Sequence, residues 1–585
     1  MIRTEDHTTN NRTAQGRADL QAWEQSKPNN FFAADVNLQY VLRRYLGEAR
    51  YAAIEADLMS FGAACATVID QAAKQEDLIG NHPRLQRYSG IGERIESIEF
   101  HPNHDLIGKI IWRHGMMTLQ AKPGNTVHQM ALFYLLNHNG EAGHACSIAC
   151  TAGLIRAVQQ YGDPALKTKF LPPLLNPDYS AMQHGAQFLT EVQGGSDVGA
   201  NAVEAQDYGD GTWRINGEKW FCSNINAQQF LVMARPVGAA DGTRGLGAFL
   251  IPRTLDNGDE TTATNGFYIR RLKEKLGTRT MASAELDFKD AVAYPIGAVD
   301  NGFKITVELV LNTSRLMNAV SCAGVMRRAA LEAGSYACTR RAFDQPIADY
   351  PLVQEAIADM MSENYAAVAS GFALAALMDS IETGQSSADD QAVYRLLVNL
   401  NKYITSIRGS EMVHRAIEVL GGNGAIETFS ILPRLYRDMV VLESWEGTHN
   451  VLCLQVLRDI GRYALHEPYL RYLQSHLNSV IHPDLQEMVA QVRQSLHQLP
   501  VLLGKIAGGD SHYQQAHARR LADELAHLGQ AVLLLAEAQF ELDYGLATIK
   551  PDIIAYFVNR HLNRGYDPLE DEGYIPRLSR IMAAV

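Results

Sequence analysis

An apolar run closing on a carboxylate occupies Arg437-Asp438-Met439-Val440-Val441-Leu442-Glu443-Ser444-Trp445-Glu446-Gly447-Thr448, with an indole before Glu446 and a glycine after it. The next stretch, Asn450 to Tyr463, is almost wholly apolar up to Arg458, the pattern of a buried helix, with Thr448 placed to cap it. Glu446 is therefore expected on a tight turn projecting from a hydrophobic wall. Loss of hydration there raises a carboxyl pKa toward the range useful for removing a weakly acidic proton. The same residues also describe an ordinary surface glutamate beside a loop glycine.

Three further glycine-containing stretches carry chemistry-bearing residues. Phe188-Leu189-Thr190-Glu191-Val192-Gln193-Gly194-Gly195-Ser196-Asp197-Val198 offers amides and hydroxyls to a polar, anionic or heterocyclic ligand, and also fits a plain turn. Val419-Leu420-Gly421-Gly422-Asn423-Gly424 reads as a helix terminus followed by a loop. Arg340-Arg341-Ala342-Phe343-Asp344-Gln345-Pro346-Ile347 sets two cations and an aromatic at a helix end, suited to a phosphate or to a solvated terminus. Cys146 and Cys150 lie one helical turn apart, but no histidine or second pair completes a zinc set, so buried thiols are expected and no metal site.

The elements that must position these residues follow from periodicity. From Ala34 to about Pro177 the pattern is mainly helical, with a clear segment at Ala145 to Tyr161. Thr212 to Ser223, Gln229 to Pro236, Leu246 to Pro252, Gly266 to Leu272 and Met281 to Phe288 are short β-rich runs between Gly, Asn and Asp turns. They imply a compact antiparallel β domain, barrel or sandwich. No βαβ alternation is visible, which disfavours a dinucleotide fold. Helical periods return at Gly302 to Ala342, Pro351 to Gly384, Ser387 to Leu420 and Thr448 to Tyr463, four long segments of a bundle. Amphipathic helices follow at Pro483 to Ile506, Gln514 to Tyr544 and Lys550 to Leu562. The expected division is a tail at 1–33, a helical domain at 34–184, the β domain at 185–300, the bundle at 301–465 and an appended helical domain at 466–585: an α+β chain, mainly α.

Composition bounds the partners. With 585 residues, 46% hydrophobic and 20% charged, the chain is an ordinary globular one. Its formal charge of -13 argues against a dominant non-specific grip on nucleic acid or anionic lipid. Seven cysteines without C-x-x-C pairs do not form a disulfide framework. No secretory signal opens the chain, and the apolar run Leu528 to Phe540 is too short to span a bilayer; a soluble, cytoplasmic protein is expected.

Taken together and in order, Thr-Glu-x-x-x-Gly-Ser-Asp, the β domain, Arg-x-x-Phe, Leu-Gly-Gly-Asn-Gly and aromatic-Glu-Gly-Thr resemble the acyl-CoA dehydrogenase family over roughly residues 35 to 465. That resemblance implies a helical domain, a middle β domain, a four-helix bundle and FAD between the last two. By similarity Gln187, Phe188, Leu189, Thr190, Gly195 and Ser196 line the flavin, with Gly447 and Thr448 beside it. Phe221, Cys222 and Ser223 match the family's Trp-Ile-Thr, and either Phe221 or the neighbouring Trp220 would flank the ring. Arg340, Phe343 and Gln354 would reach the FAD of a neighbouring subunit, joined by Glu418 (a glutamine in the family), Gly421 and Gly422. Glu446 would be the base, because Ser314 stands where other members carry it. Ser196, Asn312, Arg315 and Trp445 would lie on the substrate side.

Within the family, Phe100-His101-Pro102, Lys219-Trp220-Phe221-Cys222-Ser223, Leu272-Lys273-Glu274-Lys275-Leu276-Gly277 and Leu432-Pro433-Arg434-Leu435-Tyr436-Arg437 look most like the AidB-like, alkylation-response branch, which also carries an appended helical domain. The implied activity is α,β-dehydrogenation of an acyl-CoA, with an electron-transfer flavoprotein as acceptor and a homotetramer, at least a dimer, as the assembly. A DNA-associated flavoprotein with vestigial activity and a fatty-acyl-CoA-sequestering flavoprotein are the alternatives. The mildly acidic extension weighs against DNA.

Overall fold

The computed structural model describes residues 11–141, 143–255 and 263–585. The segment expected as a tail contains a helix, Asn11–Ser26. It is held by Trp23, which is buried and stacks on Phe429 at 5.0 Å and edge-on to Tyr336. One aromatic among polar residues thus fixes a stretch that periodicity alone left without structure. Residues 1–10 of that segment lie outside the described residues.

The N-terminal layer is helical as expected. Val36–Ala64 starts at Asp35, whose carboxylate accepts the Leu38 N–H at 2.9 Å. It kinks at Gly47 (φ +73°) and runs through a π-helical turn, Cys65–Ile69, into Asp70–Glu76. By length and composition alone this continuous helix could cross a bilayer, but Leu38, Val41, Leu42 and Phe61 are buried within the protein core. The layer also holds an unexpected hairpin, Arg84–Tyr88 with Arg94–Glu99, whose Leu85 and Ile98 join the core of the β domain.

That β domain is a seven-stranded sheet. Its order is Phe267–Leu272, Ser283–Pro295, Trp213–Ser223, Glu204–Asp207, Gln229–Pro236 and Gly185–Phe188, with Gly247–Pro252 pairing to both Ser283–Pro295 and Gln229–Pro236. The expectation of a purely antiparallel domain is corrected here. Gln229–Pro236 pairs in parallel with Gly185–Phe188 and with Glu204–Asp207, because the connections between them cross over instead of turning back as hairpins.

The bundle is built from Asn312–Thr339, Pro351–Glu382 and Ala388–Leu420, which pack on one another. The fourth member is broken into Leu432–Ser444 and His449–Tyr463, and the break contains Glu446. The extension supplies His466–Asn478, Gln486–Ala507, Ala518–Asp543, Lys550–His561 and Tyr574–Met582. It does not form a core of its own: Leu528, Val532 and Phe557 share one apolar cluster with Leu374, Leu400 and Val413 of the bundle. Tyr403 and Tyr556 donate hydroxyl hydrogen bonds across this junction to Asp523 (2.6 Å) and Asp359 (2.7 Å).

Candidate active site

Glu446 sits where the chain reverses between two helices. Leu432–Ser444 stops at Trp445, Glu446 is left-handed at φ +56°, Gly447 follows at φ +106°, and His449–Tyr463 begins. A left-handed glutamate costs on the order of 1–2 kcal/mol, so neighbouring contacts must hold it. Thr448 occupies the N-cap position with extended backbone, but its side chain makes no capping hydrogen bond, contrary to the sequence expectation. Side chains of the other helices restrain the turn instead. Arg315 Nε donates to the Glu446 carbonyl at 3.0 Å, and Lys402 Nζ donates to the Glu443 and Gly447 carbonyls at 2.8 and 2.9 Å. Asn318 Nδ2 donates to the Leu442 carbonyl at 3.1 Å.

The turn points its carboxylate at the β domain. Gln187 Nε2, on strand Gly185–Phe188, donates to Glu446 Oε1 at 3.0 Å and lies 3.3 Å from the Ser314 hydroxyl. One amide therefore joins strand Gly185–Phe188, the acid and Ser314 across the domain seam. Burial pushes the Glu446 carboxyl up to about 7, against the pull of Arg315, Lys402 and the Gln187 hydrogen bond. Trp445 beside it packs on a small buried cluster of Cys146, Cys150 and Met281. The two thiols lie 3.9 Å apart, and among the described residues no metal-ligating cluster forms around them.

Arg315 was expected on the substrate side. The structure instead commits it to the turn: besides the Glu446 carbonyl it donates to Asn399 Oδ1 at 2.7 Å, with Asn312 Oδ1 at 3.5 Å. Asn399 and Lys402 were not singled out in the sequence. The available signal was a polar triplet, Asn399, Asn401 and Lys402, inside the apolar run Val393 to Ile404 of a buried helix.

The glycine-containing stretch after strand Gly185–Phe188 is shaped by one ion pair. Glu191 is buried against Lys219 Nζ at 2.6 Å and accepts the Ala202 N–H at 2.6 Å, which pins the Thr190–Ala200 loop to strand Trp213–Ser223. Gly195 folds back on Thr190: a Cβ there would stand 2.7 Å from the Thr190 hydroxyl. Ser196 is exposed at the rim. Strand alternation divides the remaining residues. Gln187 and Leu189 face the seam, whereas Phe188 is buried against Phe230 and Cys222 lies in the β core, so those two offer a cofactor only their backbone. Ser223 bonds Ser283 at 3.0 Å, and Lys275 donates to Ser283 at 3.0 Å. A register shift near Ala284 leaves both Trp220 and Phe221 outward. Lys273 Nζ lies 3.6 Å from the centre of the Trp220 ring, while Phe221 is 37% exposed.

A second group lies elsewhere. Arg340 ends the helix that carries Arg315, 25 residues further on, which is roughly 37 Å along the axis. Phe343 is left-handed at φ +51° and 91% exposed on a tight hairpin. Gln354 donates to the Ala348 carbonyl and accepts from Ser579 of the last helix. Glu418, Gly421 and Gly422 are exposed at the end of Ala388–Leu420. Arg340 therefore cannot serve the seam at Glu446 of its own chain, which leaves the expected role toward a neighbouring subunit. In the extension, the Arg519-Arg520 doublet splits: Arg519 docks on Asn450 at 2.9 Å, and Arg520 lines a shallow cavity with Lys505 and Arg564.

The seam fits a flat heterocycle with polar edges. Gln187 Oε1 is buried there without a hydrogen-bond donor, 3.5 Å from where a Cβ on Gly153 would stand.

Comparison with known proteins agrees with this arrangement. Residues 300–461 match the acyl-CoA dehydrogenase C-terminal domain, 186–291 its middle domain, and 22–181 the N-terminal domain of the adaptive response protein AidB. The chain is 31% identical to acyl-CoA dehydrogenase family member 11 of Caenorhabditis elegans over 87% of its own length and 84% of that protein. It is 33% identical to AidB of Escherichia coli (strain K12) over 66% and 70%. The crystal structure of Caenorhabditis elegans ACDH-11 in complex with C11-CoA superposes with a TM-score of 0.83 at 29% identity, covering 92% of this chain and 91% of that one.

Proposed function

Because the chain belongs to the acyl-CoA dehydrogenase family of flavin-dependent oxidoreductases, we propose that it removes the α-proton of an acyl-CoA thioester with Glu446 and desaturates the α,β bond. The observation that carries this reading is the Glu446 carboxylate, raised toward neutrality and held 3.0 Å from Gln187 on the strand that borders the cofactor seam. FAD, when bound, supplies the two-electron acceptor that takes the β-hydride. Thr190, Gly195, Ser196, Gln187 and Ser223 are the residues that would hold it, and Phe221 would flank it.

Each protein group has a definable task. Glu446 accepts the α-proton. Gln187 holds the acid's Oε1 until substrate arrives, and Arg315 with Lys402 keeps the turn from relaxing. Trp445 and the Cys146, Cys150 and Met281 cluster keep water from the acid's flank. The bound C11-CoA of the worm relative supports a fatty acyl thioester as the substrate class. A homotetramer in the cytoplasm, passing electrons to an electron-transfer flavoprotein, completes the proposal. The exposed Phe343 hairpin is the surface that a second copy would cover.

An anaerobic panel of acyl-CoAs tests this directly. The yellow holoprotein bleaches with its substrate. Glu446→Gln retains FAD but bleaches at least roughly a hundredfold more slowly, the usual cost of losing a general base. Undiminished bleaching in that variant sinks the assignment. Tight capture of acyl-CoA without bleaching in the wild type favours sequestration.

A further inference from the structure

Lys402 lies in the middle of helix Ala388–Leu420 and is fully buried. Burying an ammonium is expensive, and such a group is normally neutralised by a carboxylate at contact distance. Among the described residues Lys402 makes no ion pair within 4.0 Å. Its side-chain hydrogen bonds go to the carbonyls of Glu443 and Gly447, which bracket Trp445 and Glu446. Arg315 takes the intervening Glu446 carbonyl. The carbonyls of Glu443, Glu446 and Gly447 are thus held by two buried cations, and this holds a left-handed glutamate in place.

The ionisable groups around this ammonium are few. Arg315 and Cys322 face it from helix Asn312–Thr339, Glu443 from Leu432–Ser444, Glu446 from the turn and His449 from the following helix. Glu443 is engaged outward by Ser410, and His449 bonds Ser406 at 3.2 Å. Glu446 and Glu443 are the carboxyls on which this positive charge acts, and of the two Glu443 is already held by the Ser410 hydroxyl.

We propose that Lys402 is a positioning residue that locks the Glu446 turn and keeps that carboxylate ionised at neutral pH, a role that rests on the dehydrogenase reading above. Burial drives the acid toward its protonated, useless form, and the Lys402 charge opposes this from behind the backbone without occupying the substrate side. A leucine or methionine here would leave the Glu443 and Gly447 carbonyls without their donor, whereas a neutral amide could satisfy them, so the charge itself is the feature to be explained.

Two measurements test it. In flavin-free protein, the infrared carboxyl band assigned by subtracting Glu446→Gln is titrated in the wild type, Lys402→Met and Lys402→Arg. The midpoint rises by at least about one pH unit in Lys402→Met and by less than roughly 0.3 in Lys402→Arg, a one-unit shift being a tenfold change in the ratio of ionised to protonated acid. In the holoprotein, bleaching by saturating acyl-CoA at pH 7 slows about fivefold in Lys402→Met, is largely restored at pH 9, and is retained in Lys402→Arg. If Lys402→Met does not fold, Lys402→Gln, neutral but still able to donate, replaces it with the same expectation. An unchanged midpoint in the neutral variant overturns the proposal. A wild type that binds FAD but bleaches with no acyl-CoA defeats the dehydrogenase reading instead, and the infrared arm still decides the role of Lys402.

Discussion

At the scale of residues, the balance around Glu446 fixes both its chemistry and its cost. Its carboxyl is raised to about 7 by burial and restrained by Arg315, Lys402 and Gln187. Flavin bleaching should therefore rise with pH through about 7 and fall roughly tenfold per unit below it, as measured by stopped-flow across pH 5.5 to 9. The same shift affects stability. Between the ordinary carboxyl pKa and about 7 the folded chain keeps a proton that the unfolded chain has lost, so stability declines as pH rises through that window and is level above it. Glu446→Gln escapes the decline. Calorimetry should find it more stable than wild type by roughly 1–3 kcal/mol at pH 8 and indistinguishable near pH 4.5. The acid, its indole and its glycine were legible in the sequence, and so was the direction of its pKa. Its restraints were not, because Lys402 and Asn399 are linked to the turn only through bundle packing and lie more than 40 residues away in the chain.

At the scale of elements, alternation and loop anchoring decide which flavin-side groups are usable. Phe188 and Cys222 belong to motif stretches, yet the pleat turns their side chains into the β core. Around Cys222, the register shift upsets simple counting: Lys219 and Cys222, three residues apart, are both buried. Four strands were legible from turn residues to within one position, but Ser283–Pro295 runs seven residues past its expected end, and Gly185–Phe188 and Glu204–Asp207 were not read as strands. The parallel pairing of Gln229–Pro236 was not legible, since a strand's pattern does not record its partner's direction. The loop's geometry gives a sharp expectation. Gly195→Val forces the Thr190 hydroxyl aside, so FAD retention, read as the flavin-to-protein absorbance ratio through dilution, weakens roughly tenfold, the scale of one good hydrogen bond. Because Gly195 is exposed, the thermal midpoint of the flavin-free protein should hardly move.

At the scale of the whole molecule, the parts are less separable than their sequence patterns. The expected tail is pinned by Trp23, and the appended helices finish the bundle's core. Arg44 of the N-terminal layer even donates to the Ala536 carbonyl of the extension at 2.5 Å. Helix existence was readable here, but helix allegiance was not, because an amphipathic stripe says that a face is buried without naming what covers it. The length of helix Asn312–Thr339 imposes a division of labour between its two ends: Arg315 serves the acid of its own chain, while Arg340 is out of reach of it. On the proposed assembly, with Arg340 reaching the cofactor of a neighbouring chain, two crippled forms should then mend each other. Glu446→Gln and Arg340→Ala chains, refolded together in equal amounts, recover bleaching in about a quarter of the sites, because half of the mixed pairs' sites draw a good acid from one chain and a good guanidinium from the other. Each form alone stays defective, so a gene carrying either lesion would be rescued by a second copy carrying the other.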